Sequence, residues 1–259
     1  MSTNKSKEAT MKDFSDRTTV CDRQFRELFG TERGTHPTDP EFMDILQKFI
    51  FGEVSRVGSL DNQMRELITV TVLSVMQTLP QLKAHVGACL NVGVTPVAIR
   101  EAVYQVAPFI GFPKTLNAIN AMNEVFAQNG ISLPLPSQGT VTDENRREKG
   151  EEVQAPLYGA EIKEKYRHLP DFAAKAIPDF LTELAFGDFY TRNGLSVRTR
   201  ELLVVCILVT LGTLSPLKAH VAANVKLGNG KESIYAALLQ CLPYIGFPSI
   251  FAAINEIER

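Results

Sequence analysis

An internal duplication constrains this chain more than any other feature of its sequence. Adding 135 to each residue number lays Phe51–Glu124 over Phe186–Arg259, and 28 of 74 positions match without a gap. The identities gather in three blocks. Arg65-Glu66-Leu67 returns as Arg200-Glu201-Leu202, and Leu82-Lys83-Ala84-His85-Val86 returns as Leu217-Lys218-Ala219-His220-Val221. Ile110-Gly111-Phe112-Pro113 returns as Ile245-Gly246-Phe247-Pro248. A period this long exceeds any solenoid unit, so a small domain has been copied whole. Upstream the copies drift, and Phe29-Gly30 meets Tyr158-Gly159 only at a shift of 129.

Between the copies, Asn129–Asn145 mixes Gly, Pro, Ser and Asp without periodicity, which is linker chemistry. The expected organisation is one unit over 15–130, a linker over 131–145 and a second unit over 146–259.

Local signals point to helices throughout. Ser15–Leu28 has helical spacing with Ser15 as a cap and Gly30 as a C-terminal stop. Pro40–Phe51 forms a second helix whose buried face is expected to be Phe42, Ile45, Leu46, Phe49 and Ile50. Ser59 or Asp61 caps the next helix, and Ser196 plays that part in the second copy. Leu67–Met76 is apolar on nearly every side, as a central buried helix must be. Its counterpart, LLVVCILVTL, is β-branched enough to mimic a strand. The long unbroken stretch after the cap, with no hairpin or βαβ pattern nearby, favours helix. A short helix then carries His85 and ends at Gly93. Thr95 and Pro96 start another, and Gly111 and Pro113 break the chain before the last helix of the unit. The fold class is all-α.

Composition removes several classes of function. A net charge of −2 and a pI near 6.1 offer nothing to nucleic acid or an anionic membrane. The N-terminus has no apolar core of a secretory signal, and the longest apolar run, Leu202–Leu211, is about half a membrane span. Cys21, Cys89, Cys206 and Cys241 form no CxxC, so they read as reduced packing residues of a cytoplasmic protein. Four histidines without a ligand cluster leave no metal site.

One constellation invites chemistry. Glu66 precedes His85 by the same interval that separates Glu201 from His220. A carboxylate that orients an imidazole and stabilises its charged form makes a proton-transfer pair. The competing reading is structural: a first-turn glutamate complements the helix dipole, and a lone histidine is often a satisfied core group. In a simple antiparallel hairpin turning near Pro80, the two groups also end about 10 Å apart along the axis. Contact then needs a steep crossing, a bridging water, or a partner from another repeat or chain.

The stretch from Arg65 to Pro113, RELITVTVLSVMQTLPQLKAHVGACLNVGVTPVAIREAVYQVAPFIGFP, resembles the carboxymuconolactone decarboxylase family. The resemblance implies two tandem alkylhydroperoxidase D-like helical domains and, from the trimer-based rings of that family, a homotrimer forming a pseudo-hexameric ring. It also implies cofactor-free removal of CO2 from a small carboxylated lactone or related organic acid, of the kind met in aromatic catabolism through the β-ketoadipate route. Glu66, His85, Glu201 and His220 would then be catalytic, and Arg65 and Arg200 would hold a substrate carboxylate. The thiol-peroxidase branch of the superfamily carries a CxxC seven and four residues before the histidine. Those positions are Thr78 and Gln81 here, and Thr213 and Pro216 in the second copy, so no dithiol cycle is expected. A non-catalytic binding or assembly protein on the same scaffold remains the other reading.

Overall fold

A computed structural model describes residues 16–159 and 161–259; the expected Ser15 cap and the N-terminal segment before it lie outside the described residues. Helices follow one another, and no strand occurs among the described residues. In the first half these are α1 (Arg17–Phe29), α2 (Pro40–Gln47), α3 (Asn62–Met76), α4 (Leu79–Asn91), α5 (Pro96–Tyr104), α6 (Ala107–Ile110) and α7 (Phe112–Gln128). The second half holds α8 (Arg146–Tyr158), α9 (Glu161–Lys165), α10 (Asp171–Phe180), α11 (Val197–Leu211), α12 (Leu217–Lys226), α13 (Lys231–Ile245) and α14 (Phe247–Glu258). Both α2 and α10 run on into a π-helical turn, Lys48–Glu53 and Leu181–Tyr190. Residues 131–145 carry no helix.

The capping logic of the sequence is visible in the structure. Asp61, not Ser59, accepts from the Met64 amide at 2.8 Å, and Ser196 accepts from Thr199 at 3.1 Å. Thr95 accepts from Ala98 with Pro96 at the first helical position, and Gly30 closes α1 at φ 68°. The chain starts α1 from Asp16, whose carboxylate accepts from Thr19. LLVVCILVTL is helical, as its length demanded.

The two repeats share one core built on α3 and α11. Every residue from Arg65 to Val75 and from Arg200 to Val209 is buried, which accounts for their near-continuous apolar sequence. The expected buried face of α2 is corrected in part. Phe42 and Ile45 are 66% and 63% exposed, while Leu46, Phe49 and Ile50 are partly covered. The helix lies at the edge of the unit, so its inner stripe covers the core and its outer one faces away from the chain.

Two glycines set the spacing of the outer helices. A Cβ on Gly52 would overlap the Arg17 carbonyl oxygen, and one on its counterpart Gly187 would overlap that of Arg146. Each π turn thus lets the first helix of its half pack backbone to backbone. Because α1 supplies Phe25 and Phe29, Gly52 fixes one wall of the site described below.

Buried arginines cross between the halves in a two-fold pattern. Arg65 donates to Gln240 Oε1 at 2.9 Å and to the carbonyls of Val54, Val57 and Leu60. Arg200 donates to Gln105 Oε1 at 3.0 Å and to the carbonyls of Arg192 and Asn193. Gln105 and Gln240 are themselves equivalent positions of the duplication, so each repeat gives an arginine to the other's glutamine. One end adds a charge: Glu101, fully buried, accepts from Arg200 at 3.0 Å and from Arg192 at 2.8 Å. Its counterpart is Ala236, which packs against Gly58.

Burial opposes ionisation of Glu101, but its hydrogen bonds and charge contacts with Arg192 and Arg200 prevail and hold its carboxyl below the usual glutamate range. A lowered folded-state value means the stabilisation is complete above the unfolded value of about 4.3 and is lost as pH falls through the folded one. Glu101→Gln should therefore cost about 3–5 kcal/mol at neutral pH, because Arg200 is left buried without its counter-charge. Urea denaturation across pH will show a gap that closes in acid. A constant gap down to pH 3 contradicts the ion-pair account.

Candidate active site

Glu66 sits in the second turn of α3 and His85 in the middle of α4. Their side chains meet directly, with His85 Nδ1 2.7 Å from Glu66 Oε2 and both residues buried. In the second half His220 Nδ1 lies 2.9 Å from Glu201 Oε2. Direct contact thus overcomes the axial offset expected of a simple hairpin; in the first half the turn falls between Met76 and Leu79, which cuts that offset to roughly 6 Å, a gap the two side chains span. A carboxylate that accepts from Nδ1–H fixes the tautomer and leaves Nε2 as the nitrogen free of that bond. Among the described residues, no hydrogen-bond partner is found for Nε2 of His85.

His85 forms part of the wall of a cavity of about 540 Å³, in the range of small-molecule sites. Phe25 and Phe29 of α1, Met43 and Phe51 after it, and Leu73 and Met76 of α3 give it an apolar body. Pro243 and Tyr244 arrive from α13, so the second repeat completes the first repeat's cavity. The ring of Phe29 stands edge-on to His85 at 5.7 Å, and Tyr244 does so at 5.8 Å. Burial pushes the Tyr244 phenol up, with the Glu66 charge adding to it, so it stays protonated. Thr78 and Gln81, the positions a redox CxxC would occupy, line the same cavity.

The second dyad is dressed differently. Tyr158, which the shift of 129 sets opposite Phe29, places its hydroxyl 2.7 Å from His220 Nδ1. Tyr190, at the place of Ser55, donates to Glu201 Oε1 at 2.6 Å. Burial drives both phenols upward, helped by the Glu201 charge, and they remain hydrogen-bond donors. The Glu201–His220 pair is thus held inside a four-member network, whereas Glu66 and His85 have no phenol hydrogen bond and His85 lines the cavity. The uneven Phe29/Tyr158 and Ser55/Tyr190 pairs were readable in the alignment, but nothing in sequence told which side chains would reach the dyad.

Arg65 and Arg200 are placed elsewhere. They are 3% and 0% exposed, engaged by carbonyls and glutamines of the inter-repeat seam, and neither lines the cavity. The expected role in holding a substrate carboxylate is therefore corrected. These guanidiniums begin the helix next to the dyad but point into the core junction.

No group of three or more His, Cys, Asp or Glu with the arrangement of a metal site occurs among the described residues. The four cysteines are free and buried. Burial raises the Cys89 thiol well above its ordinary value, with the Glu66 charge adding to it, and Cys241 is raised by a hydrogen bond with Cys206 and by burial. In the folded protein, a disulfide-exchange reagent at pH 8 should leave all four thiols unreacted over minutes, and denaturant should release four. Rapid loss of two native thiols on peroxide treatment contradicts this picture.

Comparison with known proteins accords with the tandem organisation. The profile of the Carboxymuconolactone decarboxylase family matches residues 40–124 and 175–259, two windows in the same register as the duplication. A 4-carboxymuconolactone decarboxylase from Acinetobacter baylyi is 29% identical over 120 residues, covering 46% of this chain and 89% of that protein. The nitrosuccinic acid decarboxylase of Metarhizium robertsii is 28% identical over 100 residues, 36% of this chain and 70% of that one. A crystal structure from Burkholderia xenovorans LB400, described as a gamma-carboxymuconolactone decarboxylase subunit, superposes with a TM-score of 0.54 at 18% identity. It covers 93% of this chain and 94% of its own length, which shows the shared fold of the whole tandem chain.

Proposed function

Because this chain belongs to the carboxymuconolactone decarboxylase family, we propose that it is a carboxy-lyase acting on a small organic acid, with Glu66 and His85 as its working pair. The observation that carries this reading is the 2.7 Å contact between them at the wall of an apolar cavity of about 540 Å³. Two relatives named as decarboxylases support the reaction class.

In the proposed reaction the bond between carbon and carboxylate breaks, CO2 leaves, and the electron pair stays on carbon, delocalised into a neighbouring carbonyl. The imidazolium of His85 then delivers the Nε2 proton to that carbon and is re-protonated from solvent. Glu66 holds the ring in place through Nδ1 and balances the charge. The apolar lining strengthens the electrostatic interaction between the imidazolium and the developing charge. No cofactor enters this scheme. Glu201 and His220 repeat the pair, but the phenols of Tyr158 and Tyr190 occupy them, so turnover is assigned to the first repeat.

Assembly as a homotrimer with six repeats in a ring is part of the same proposal. Large exposed apolar residues recur at equivalent positions: Phe42 and Ile177, Ile45 and Phe180, Phe112 and Phe247, Leu116 and Phe251. Surfaces of this kind mark interfaces, and their repetition suits a ring in which each repeat meets the same neighbour.

Release of CO2 from a panel of small carboxylated lactones and related acids tests the chemistry. His85→Ala should lower kcat by roughly 10²–10⁴. His220→Ala should stay within about threefold of wild type, because its ring is not assigned a proton-transfer role. Equal loss in both variants would move the assignment to a shared role, and full activity of His85→Ala would end it. Light scattering should give three times the 28.6 kDa chain mass, and the double variant Phe112→Glu, Phe247→Glu should reduce it.

A further inference from the structure

Loss of CO2 in the proposed scheme sends an electron pair toward a carbonyl oxygen, and that oxygen needs a hydrogen-bond donor as its charge grows. His85 is committed to the carbon, and Arg65 and Arg200 are turned into the seam. The polar side chains lining the cavity are Thr35, Gln47, Thr78, Gln81, His85 and Tyr244. The hydroxyl oxygens of Thr78 and Tyr244 are buried and present nothing to a bound molecule. Gln47 already spends its carboxamide, accepting from Arg33 at 3.3 Å and donating to the Gly34 carbonyl at 3.0 Å. With Thr35, it lies on the side that the cavity shares with a neighbouring polar cleft.

Gln81 is left, and its placement suits the task. It stands on α4 four residues before His85, so the two side chains share a helix face with their Cβ atoms about 6 Å apart. It is exposed and makes no side-chain hydrogen bond among the described residues. A carbonyl and the carbon beside it belong to one small molecule, and two side chains one helical turn apart can meet both. The second repeat supplies an independent observation. There the position of Gln81 is held by Pro216, which has no side-chain donor. The dyad wrapped by phenols is thus also the one without a carboxamide upstream of its histidine.

We propose that Gln81 is a further catalytic residue of the first repeat, its carboxamide N–H donating to the substrate oxygen that takes up charge while His85 protonates the carbon. No covalent bond to Gln81 forms or breaks, and its hydrogen stays on nitrogen. The inference rests on the Glu66–His85 pair being the site of a lyase, and it deepens that reading. It holds for substrates with one carboxylate or two, because the donor meets the carbonyl.

Two measurements on the full chain test it. In the CO2-release assay over small carboxylated lactones and related acids, Gln81→Leu keeps the size of the side chain and removes the donor. Its kcat should fall roughly tenfold to hundredfold with KM within about threefold, since the bond strengthens only as charge develops. Gln81→Lys restores a donor and should keep kcat within about threefold of wild type. The second measurement needs no turnover. The oxygen of 4-nitrophenolate carries enolate-like charge, and its absorbance reports binding in mildly alkaline buffer. Gln81→Leu should weaken this binding about tenfold, and Gln81→Lys should not. An unchanged kcat in Gln81→Leu overturns the proposal, as does failure of the phenolate to bind wild type at millimolar concentration. Equal loss in the Leu and Lys variants overturns it too, by marking packing instead of donation. A protein that releases no CO2 from any acid, yet binds the phenolate through Gln81, would defeat the lyase reading and leave the donor standing. CO2 release that depends on His85 and not on Gln81 would do the reverse.

Discussion

Two guanidiniums that scarcely meet water hold this protein together. Arg65 and Arg200 each leave their own repeat and end on a glutamine of the other; the carbonyls of Val54, Val57 and Leu60 take the remaining bonds of Arg65, and Glu101 with the carbonyls of Arg192 and Asn193 takes those of Arg200. Burying such a group is costly unless nearly every donor is met, so the arrangement tolerates few alternatives for how the halves sit. With the halves fixed, α3 and α11 pack along their length, and α13 of the second repeat delivers Pro243 and Tyr244 to the first repeat's cavity. The seam and the site are therefore one construction. Glu66 and Glu201 immediately follow the crossing arginines in the chain, so the register of the seam is also the register of the dyads.

Duplication explains why the site is both repeated and uneven. The dyad, the capping residues and the close approach at Gly52 and Gly187 are copied with the same offset. What differs is the ring of side chains around them: Phe29 against Tyr158, Ser55 against Tyr190, Phe109 against Tyr244. Each exchange adds or removes a phenol near a carboxylate–imidazole pair. The first repeat keeps an open apolar cavity, and the second surrounds its glutamate with donors. A copied scaffold has in this way been given two different environments with few substitutions.

Much of the fold could be read from the chain because its signals are local. Asp61, Ser196, Thr95–Pro96 and Gly30 act within a turn of where they stand, and the burial of Leu67–Met76 follows from apolar residues on all sides. The constant offset revealed the tandem organisation without any three-dimensional knowledge. The dyad was legible as a spacing, and its contact was not, since contact depends on where the turn between α3 and α4 falls. Phe42 and Ile45 misled because an apolar stripe at helical spacing does not say whether it faces its own core or outward. Arg65 and Arg200 misled for a related reason: a guanidinium beside a candidate acid looks like an anion clamp until the second repeat is placed against it. Tyr244 reaches the site of Glu66 from the other repeat, a separation in the chain that no local pattern spans.

A hydrogen bond joins the His85 imidazole, at the wall of an apolar cavity, to the buried Glu66 carboxylate, and nitrogen-15 NMR of the histidine rings reads this bond directly. At a pH where His85 is neutral, its spectrum should show the proton on Nδ1, bonded to Glu66, and a bare Nε2 facing the cavity. A neutral ring protonated on Nε2, or one averaging between tautomers as a solvated histidine does, would contradict the account.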